Sequence, residues 1–203
     1  MKGISCMNID ENLLYSFGGE DKMYQPKETI FKEGDHALYY FQVVHGKVKL
    51  NNYNEEGKEF IHNILRKNQS FGETLLFLEH AYPMNAVCIE TSGVIRLPKI
   101  NFIEMLKEHP DLSLEMNACF SQEIYYKLRM MQNMASQSPI RRLEGLLDYL
   151  KSFHEERCGD FQVAFTRQEL ANLTGLRVET VIRALKKMEK AGSVKLENRK
   201  IIY

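Results

Sequence analysis

The sequence predicts an α+β protein in which an antiparallel β-roll is followed by a long helix and by a smaller helical region that ends in a β-hairpin. Three patterns lead to this prediction. Short apolar and β-branched runs alternate with turn residues between about residues 24 and 99. A stretch without Gly or Pro follows at 111–134, and two short amphipathic segments joined by one glycine lie near the C-terminal end.

The roll is predicted from six short strands. Turn residues that favour a left-handed or tight backbone separate them, among them Gly34, Gly46, Gly57 and Asn68. Regular spacing of short strands favours a sandwich or roll over β-α-β units. The predicted strands are 29–31, 38–44, 47–50, 60–65, 86–90 and 93–97.

The stretch 111–134 predicts a helix of about 24 residues, roughly 36 Å long at 1.5 Å per residue. Apolar residues recur along it at helical spacing. This stripe either packs on its own domain or forms a two-helix seam between protomers, and the apolar residues on other faces favour the seam of a homodimer. The stripe consists of Met116, Phe120, Ile124, Leu128 and Met131.

A hinge is predicted near residues 134–138. Ser138 is a good N-cap, and Pro139 suits the first helical position because its missing N–H would be unpaired there. The predicted domains are therefore a sensor roll at 1–110, a dimerisation helix with its hinge at 111–137, and a third domain at 138–203. The helix after the hinge has a leucine stripe at Leu143, Leu146, Leu147 and Leu150.

A helix-turn-helix is predicted after residue 165. Thr166 and Glu169 have the spacing of a capping box, in which each side chain accepts from the other residue's backbone N–H. Gly175 lies where a short helix must end in a left-handed turn, and a second helix covers about 177–191. The predicted apolar set of this second helix is Val178, Val181, Ile182, Leu185 and Met188.

The charges on this second helix favour double-stranded DNA as the partner. Glu179 and Arg183 lie four residues apart and so share a face, where they either read base edges or form an intrahelical ion pair. Strands at 193–196 and 200–203 predict a wing hairpin, with Lys195, Arg199 and Lys200 near phosphates. The basic residues of the helix are Arg177, Arg183, Lys186, Lys187 and Lys190.

The charge distribution agrees with a DNA-binding end. Residues 138–203 hold 13 Lys plus Arg against 9 Asp plus Glu, whereas residues 1–137 hold 14 against 18. No apolar stretch is long enough to span a membrane, and the N-terminus lacks a signal-peptide core. We therefore expect a cytoplasmic protein without a membrane partner.

Metal and redox chemistry find little support in the sequence. The cysteines Cys6, Cys88, Cys119 and Cys158 contain no Cys-x-x-Cys pair, so we interpret them as ordinary free thiols rather than zinc or iron–sulfur ligands, with a redox sensor at one of them as the alternative. No nucleophile–base or paired-carboxylate signature indicates an enzyme. The remaining alternative to a DNA-binding regulator is an effector-binding regulatory subunit that acts through protein contacts.

Over about residues 20–203 the chain resembles the CRP/FNR superfamily of transcription regulators, whose members combine a cyclic-nucleotide-binding-like jelly roll, a long helix and a winged helix-turn-helix. In the roll the resemblance rests on Gly34-Asp35, on His45-Gly46-Lys47-Val48 and on Phe71-Gly72-Glu73. In the DNA-binding part it rests on the segments 166–171 and 178–183.

For DNA recognition, the resemblance implies that Glu179 and Arg183 read a G·C pair in each half-site and that Arg167 contacts a phosphate. Val178-Glu179-Thr180 looks like the fumarate–nitrate branch, which implies a TTGA-type palindrome and RNA polymerase as a further partner. Ile182 replaces a small polar residue of that branch and could contact a thymine methyl. The candidate DNA-binding residues are Glu179, Arg183, Arg167, Arg177, Thr180, Ile182 and Lys186.

For the sensor, the resemblance places an effector pocket at Gly72, Glu73, Met84 and Asn85. Met84 lies where a cyclic-nucleotide cassette has its phosphate-binding Arg, and a thioether cannot make that charge-assisted contact. We therefore expect neither cyclic AMP nor cyclic GMP, and Glu73 is interpreted as a structural cap. An oxygen-sensing Fe–S cluster and a haem are not expected, although His36, His45, His62 and His80 are ligands by type. A small-molecule effector of the roll is a further candidate partner.

Overall fold

The computed structural model describes residues 8–134, 138–151, 161–197 and 200–203. It divides into two compact units, the first ending at Glu123 and the second beginning at Ile124. The first unit contains α1 (Glu11–Ser16), β1 (Glu20–Tyr24), β2 (Thr29–Phe31), β3 (Tyr39–His45), β4 (Val48–Tyr53), β5 (Glu59–Leu65), β6 (Ser70–Phe71), a 3₁₀ helix (Glu73–Phe77), β7 (Asn85–Cys88), β8 (Ser92–Pro98) and α2 (Lys99–Glu108). Helix α3 (Pro110–Met134) runs from the first unit into the second, and α4 (Pro139–Lys151), β9 (Gln162–Val163), α5 (Arg167–Thr174), α6 (Val178–Lys190), β10 (Lys195–Glu197) and β11 (Lys200–Ile202) follow.

The first unit is built on two four-stranded antiparallel sheets. Their strand orders are β1-β8-β3-β6 and β2-β7-β4-β5. Neighbouring strands within each sheet are mostly distant in sequence, as in a roll rather than in a simple meander. The predicted fold class, a β-roll followed by a long helix and a helical C-terminal region, is confirmed.

The core of this unit contains apolar residues from both sheets, with helices packed against it. Tyr40 of β3 stacks on Phe102 of α2, with ring centroids 4.7 Å apart. Phe31 of β2 stacks on Tyr82 at 3.7 Å, and Phe41 stacks on Phe71 at 5.1 Å. Aromatic rings of this size bury a large apolar area, so these pairs stabilise the core. Core residues include Leu14, Val43, Val48, Leu65, Leu76, Ala86, Val94 and Leu97.

Helix α3 confirms the predicted long helix, but its apolar stripe does not act as one surface. Met116 is 3% exposed and belongs to the roll core, and Phe120 packs against that core. Ile124, Leu128 and Met131 are 58%, 54% and 66% exposed. The prediction that the whole stripe forms an intermolecular seam is therefore wrong for Met116, because this residue is already buried within its own chain.

The second unit packs α4, α5 and α6 around the predicted leucine stripe. Leu143, Leu146, Leu147 and Leu150 of α4 are all buried. Helix α4 begins as predicted, with Pro139 first and the Ser138 hydroxyl accepting from the Arg141 N–H. A small antiparallel sheet of order β10-β11-β9 completes the unit.

Most predicted strands are confirmed within one or two residues, and β2 matches its prediction. Strands β1, β6 and β9 were not predicted, nor were α1 and α2. Among the described residues, no helix is long and apolar enough to cross a membrane.

Candidate DNA interface and sensor pocket

The first helix of the helix-turn-helix begins at a complete capping box. The Thr166 hydroxyl accepts from the Glu169 N–H at 3.1 Å, and a Glu169 carboxylate oxygen accepts from the Thr166 N–H at 2.7 Å. Two backbone donors that the first turn leaves unpaired are thereby satisfied. The start of α5 is fixed by local contacts alone, as the sequence predicts.

The turn between α5 and α6 depends on Gly175. This residue has φ 68°, in the left-handed region, and its N–H donates to the Ala171 carbonyl. The Leu176 N–H donates to the same carbonyl at 3.0 Å. A residue with a Cβ is disfavoured in this conformation, so glycine permits the chain to reverse within a few residues and enter α6.

Helix α6 is sharply amphipathic. Its buried face contains Val181, Ala184, Leu185 and Met188. At 100° per residue, Glu179, Arg183, Lys186 and Lys190 fall within about 60° of one another on the opposite side of the helix. These four residues are exposed, and we call them the α6 stripe. One side of α6 therefore anchors the helix in the unit, and the other presents charge.

Most of the sequence-predicted reading residues lie on or beside this stripe. Arg177 is exposed at the N-cap of α6, and Thr180 is half-buried one turn further. Ile182, which the sequence places in the apolar set of this helix, is 41% exposed and lies outside the buried face. Ala184 takes its place in the core. Lys190 was not among the candidate sites, although its spacing from Arg183 and Lys186 indicates its position on the stripe.

Glu179 and Arg183 make no ion pair with each other, although both residues are described. The interpretation of this pair as an intrahelical salt bridge is therefore not supported. Arg167 lies at the start of α5, half-buried, and thus on the helix that precedes α6.

The predicted wing is present as β10 paired with β11. Lys195 pairs with Ile202 and Glu197 with Lys200 in antiparallel register. Lys195 and Lys200 are exposed. The hairpin turn, including the candidate phosphate contact Arg199, lies outside the described residues.

The predicted sensor residues Gly72 and Glu73 lie at the end of β6. Gly72 has φ 84°, a conformation that residues with a side chain rarely adopt, and a Cβ there would lie 3.1 Å from the Tyr82 hydroxyl, so a substitution would be strained. Glu73 is 5% exposed and accepts from the Ser70 hydroxyl at 3.0 Å. Glu73 is the first residue of a 3₁₀ helix whose N-cap is Gly72, and its interpretation as a structural cap stays a prediction.

The Glu73 carboxylate lies in an aromatic environment that changes the acidity of two tyrosines. Burial raises the pKa of Tyr40 well above its ordinary value, and the charge of Glu73 raises it further. Burial, followed by Glu73 and Asp35, also raises the pKa of Tyr82. Both phenols therefore stay protonated far into the alkaline range, and a second negative charge near Glu73 is disfavoured.

Met84 and Asn85 lie where the resembled cassette has its phosphate-binding pair. Met84 is half-buried and has no charge. The Asn85 amide accepts from the Glu33 N–H at 3.0 Å and donates to the Asn51 carbonyl at 3.1 Å. Asn85 thus ties β7 to its neighbours and has both ends of its amide occupied.

The candidate metal ligands are dispersed. The backbone of His36 forms an isolated antiparallel β-bridge with Ala81, and Nε2 of His62 is hydrogen-bonded to the side-chain oxygen Oδ1 of Asn52. Within the part of the chain that the structure describes, no three His, Cys, Asp or Glu residues form a group that could hold a metal ion. Cys88 is buried, which raises the pKa of its thiol, and Cys119 is half-buried. Cys6 and Cys158 lie outside the described residues.

Comparison with known protein families covers both units. Residues 21–109 match the family model of a cyclic nucleotide-binding domain, and residues 141–203 match a Crp-like helix-turn-helix domain. The chain belongs to the CRP/FNR superfamily. It is therefore a transcription regulator of the CRP/FNR type and not an enzyme.

Curated CRP/FNR relatives match most of the chain at modest identity. The transcriptional activator protein anr of Pseudomonas aeruginosa is 26% identical over 177 residues, covering 86% of this chain and 72% of the relative. The cAMP-activated global transcriptional regulator CRP of Haemophilus influenzae is 24% identical, covering 88% of this chain and 81% of the relative. Both branches of the superfamily are thus represented at similar distance.

Solved CRP/FNR structures share the fold. The c-di-GMP responsive global regulator CLP of Xanthomonas campestris superposes with a TM-score of 0.73 at 19% identity, covering 95% of this chain and 98% of that one. CprK complexed with OCPA gives 0.75 at 19% identity, covering 99% and 95%. The ligands that these descriptions name differ, so the shared fold does not identify the effector of this chain.

Proposed function

We propose that this CRP/FNR-type regulator binds a TTGA-type palindrome as a homodimer through α6. The observation that carries the proposal is the α6 stripe, which is exposed and opposite the buried face of the helix. A recognition helix requires this arrangement, since one side must be anchored while the other enters the major groove.

Roles within the interface follow from side-chain chemistry. Arg183 can donate two bonds to guanine O6 and N7, and Glu179 can accept from cytosine N4. The exposed Ile182 can contact a thymine methyl, and Thr180 can reach a base edge. Residues around this centre are assigned to phosphates, where lysine and arginine supply most of the affinity. These are Arg167, Arg177, Lys186, Lys190, Lys195 and Lys200.

The exposed residues of α3 supply a dimer interface. Ile124, Leu128 and Met131 form an apolar stripe more than half exposed in the single chain. Pairing two copies along this stripe would bury it in the manner of a coiled coil. A two-fold dimer then presents two α6 helices to half-sites about one helical turn apart. DNA as the partner places the protein in the cytoplasm, with RNA polymerase as the expected second partner.

An effector of the roll, if it has one, is proposed not to be a cyclic nucleotide. Binding a phosphate in a dry pocket requires a charge-assisted donor. Met84 has none, and the Asn85 amide is already bonded to two backbone groups. The match to a cyclic nucleotide-binding domain over residues 21–109 is taken as a likeness of fold and names no ligand for this chain.

Fluorescence anisotropy tests the DNA-binding proposal. We expect the full-length protein to bind a labelled TTGA-type palindrome at least about a hundredfold more tightly than a shuffled duplex of the same composition. The logarithm of the association constant should fall linearly with the logarithm of the salt concentration, because phosphate contacts release counterions. Equal, weak affinity for both duplexes would contradict sequence-specific binding. A DNA affinity that does not depend on the salt concentration would favour a regulatory subunit acting through protein contacts.

A further inference from the structure

A cavity in the second unit belongs neither to the α6 stripe nor to the roll. It has a volume of about 190 Å³ and lies between the last turns of α3 and the middle of α4. This volume is several times the ~30 Å³ that one water molecule occupies in the liquid. The lining residues are Tyr125, Tyr126, Arg129, Asn133, Gly145, Asp148 and Tyr149.

Three tyrosine rings form the wall of the cavity. Tyr126 of α3 meets Tyr149 of α4 edge to face, with centroids 4.8 Å apart and an interplanar angle of 64°. Tyr125 meets Tyr126 at 5.4 Å and 70°. Edge-to-face contacts between aromatic rings are favourable, so a further planar ring is a suitable neighbour for this cluster.

The lining contains one basic and one acidic side chain, Arg129 and Asp148. The Asp148 carboxylate accepts a hydrogen bond from the Tyr203 hydroxyl. Arg129 is exposed and forms no ion pair with any described residue. A guanidinium binds a carboxylate through two parallel hydrogen bonds, which a neutral group cannot match.

Gly145 keeps the two helices close at this point. A Cβ added to Gly145 would lie 1.8 Å from Nδ2 of Asn133, so the Asn133 side chain occupies the space that any larger residue would need.

The cavity lies away from the proposed dimer interface. At 100° per residue, Tyr125, Tyr126, Arg129 and Asn133 centre about 150° round α3 from Ile124, Leu128 and Met131. A second copy that covers the apolar stripe would therefore leave the cavity open to solvent.

We propose that the α3–α4 cavity binds a small planar aromatic carboxylate, with its ring against the tyrosines and its carboxylate on the Arg129 guanidinium. Helix α4 also packs on α5 and α6, so an occupant would fix the angle between α3 and the helix-turn-helix. The effect on DNA affinity rests on the proposed function, whereas the binding itself does not.

Ligand-observed NMR on the full-length protein, without DNA, tests the binding. Benzoate is the probe, and benzylamine is the same ring with the opposite charge. We expect benzoate to bind at least about tenfold more tightly than benzylamine. Arg129→Gln should lower the affinity for benzoate by about tenfold. Lys127→Gln is the matched control, because Lys127 is an exposed cation of α3 outside the cavity.

Three results would overturn the proposal. They are equal affinity for benzoate and benzylamine, benzoate affinity unchanged in Arg129→Gln, and no detectable benzoate binding at the highest soluble concentration. Because the readout involves no DNA, a failure of the DNA-binding proposal would leave a positive result standing. Benzoate that binds at Arg129 yet leaves the affinity for the TTGA palindrome unchanged would refute the coupling alone.

Discussion

Leu128→Glu is expected to convert the dimer into a monomer and to lower affinity for the palindrome by at least about a hundredfold. Leu128 lies in the middle of the exposed apolar stripe of α3. In a paired seam, each new carboxylate would lose water and face its counterpart, which is costly without a partner. Losing the second DNA-binding head removes an effective-concentration gain of about 10²–10⁴. Sedimentation velocity measures the association state, and anisotropy measures the affinity.

The matched control for this change is Gln122→Glu. Gln122 is exposed on α3 and lies about 160° round the helix from Ile124. Its replacement by Glu adds one negative charge, as Leu128→Glu does. We expect the Gln122→Glu protein to remain dimeric and to keep its DNA affinity. Circular dichroism should show a cooperative thermal unfolding transition for both variants. A Leu128→Glu protein that stays dimeric would exclude this face as the dimer interface.

Arg183→Ala is expected to weaken binding to the palindrome by more than about tenfold and to abolish discrimination at one G·C position. A bidentate arginine–guanine contact contributes about 1–3 kcal/mol of discrimination in each half-site. Because the residue makes no ion pair with Glu179, its removal leaves no partner charge exposed within the helix. Anisotropy with palindromes changed at single base pairs measures both effects.

Arg141→Ala is the control for Arg183→Ala, since Arg141 is an exposed arginine of the same unit at the start of α4. It should discriminate between bases as the unaltered protein does. If Arg183→Ala lowered the affinity for the palindrome and the affinity for the shuffled duplex by the same factor, Arg183 would contact a phosphate and would not read the base sequence.

The helix-turn-helix could be predicted from the sequence because its determinants are local. Thr166 and Glu169 form their capping box three residues apart, and Gly175 supplies its own left-handed turn. Local rules do not decide which residues pack inside. Ile182 fits the apolar spacing of α6, but Ala184 occupies the core in its place, because packing against α4 and α5 determines which side of α6 is buried.

The strands that could not be predicted lack a local apolar signal. Strand β1 reads Glu-Asp-Lys-Met-Tyr, and only Tyr24 is buried, so its place in the sheet comes from pairing with β8. Strands β6 and β9 have two residues each and exist only through distant partners, β3 and β11. Hydrophobic periodicity cannot identify such segments.

The long helix shows the same limit at larger scale. Apolar residues recur at one helical spacing from Met116 to Met131. The spacing does not indicate which of them pack in the roll core and which are exposed. The sensor residues depend still more on tertiary structure, since Glu33, Asn51 and Asn85 meet only across the sheet. The α3–α4 cavity had no sequence signal, because Asn133 and Gly145 lie on different helices.

Varying the half-site spacing tests most directly the central claim that a symmetric dimer reads DNA through α6. The measurement is the anisotropy of palindromes that differ only in the distance between half-sites. We expect the tightest binding at a centre-to-centre spacing of about 10–10.5 bp and a marked loss when about half a turn is added, since one α6 then faces the wrong side of the duplex. An affinity independent of spacing would contradict the claim.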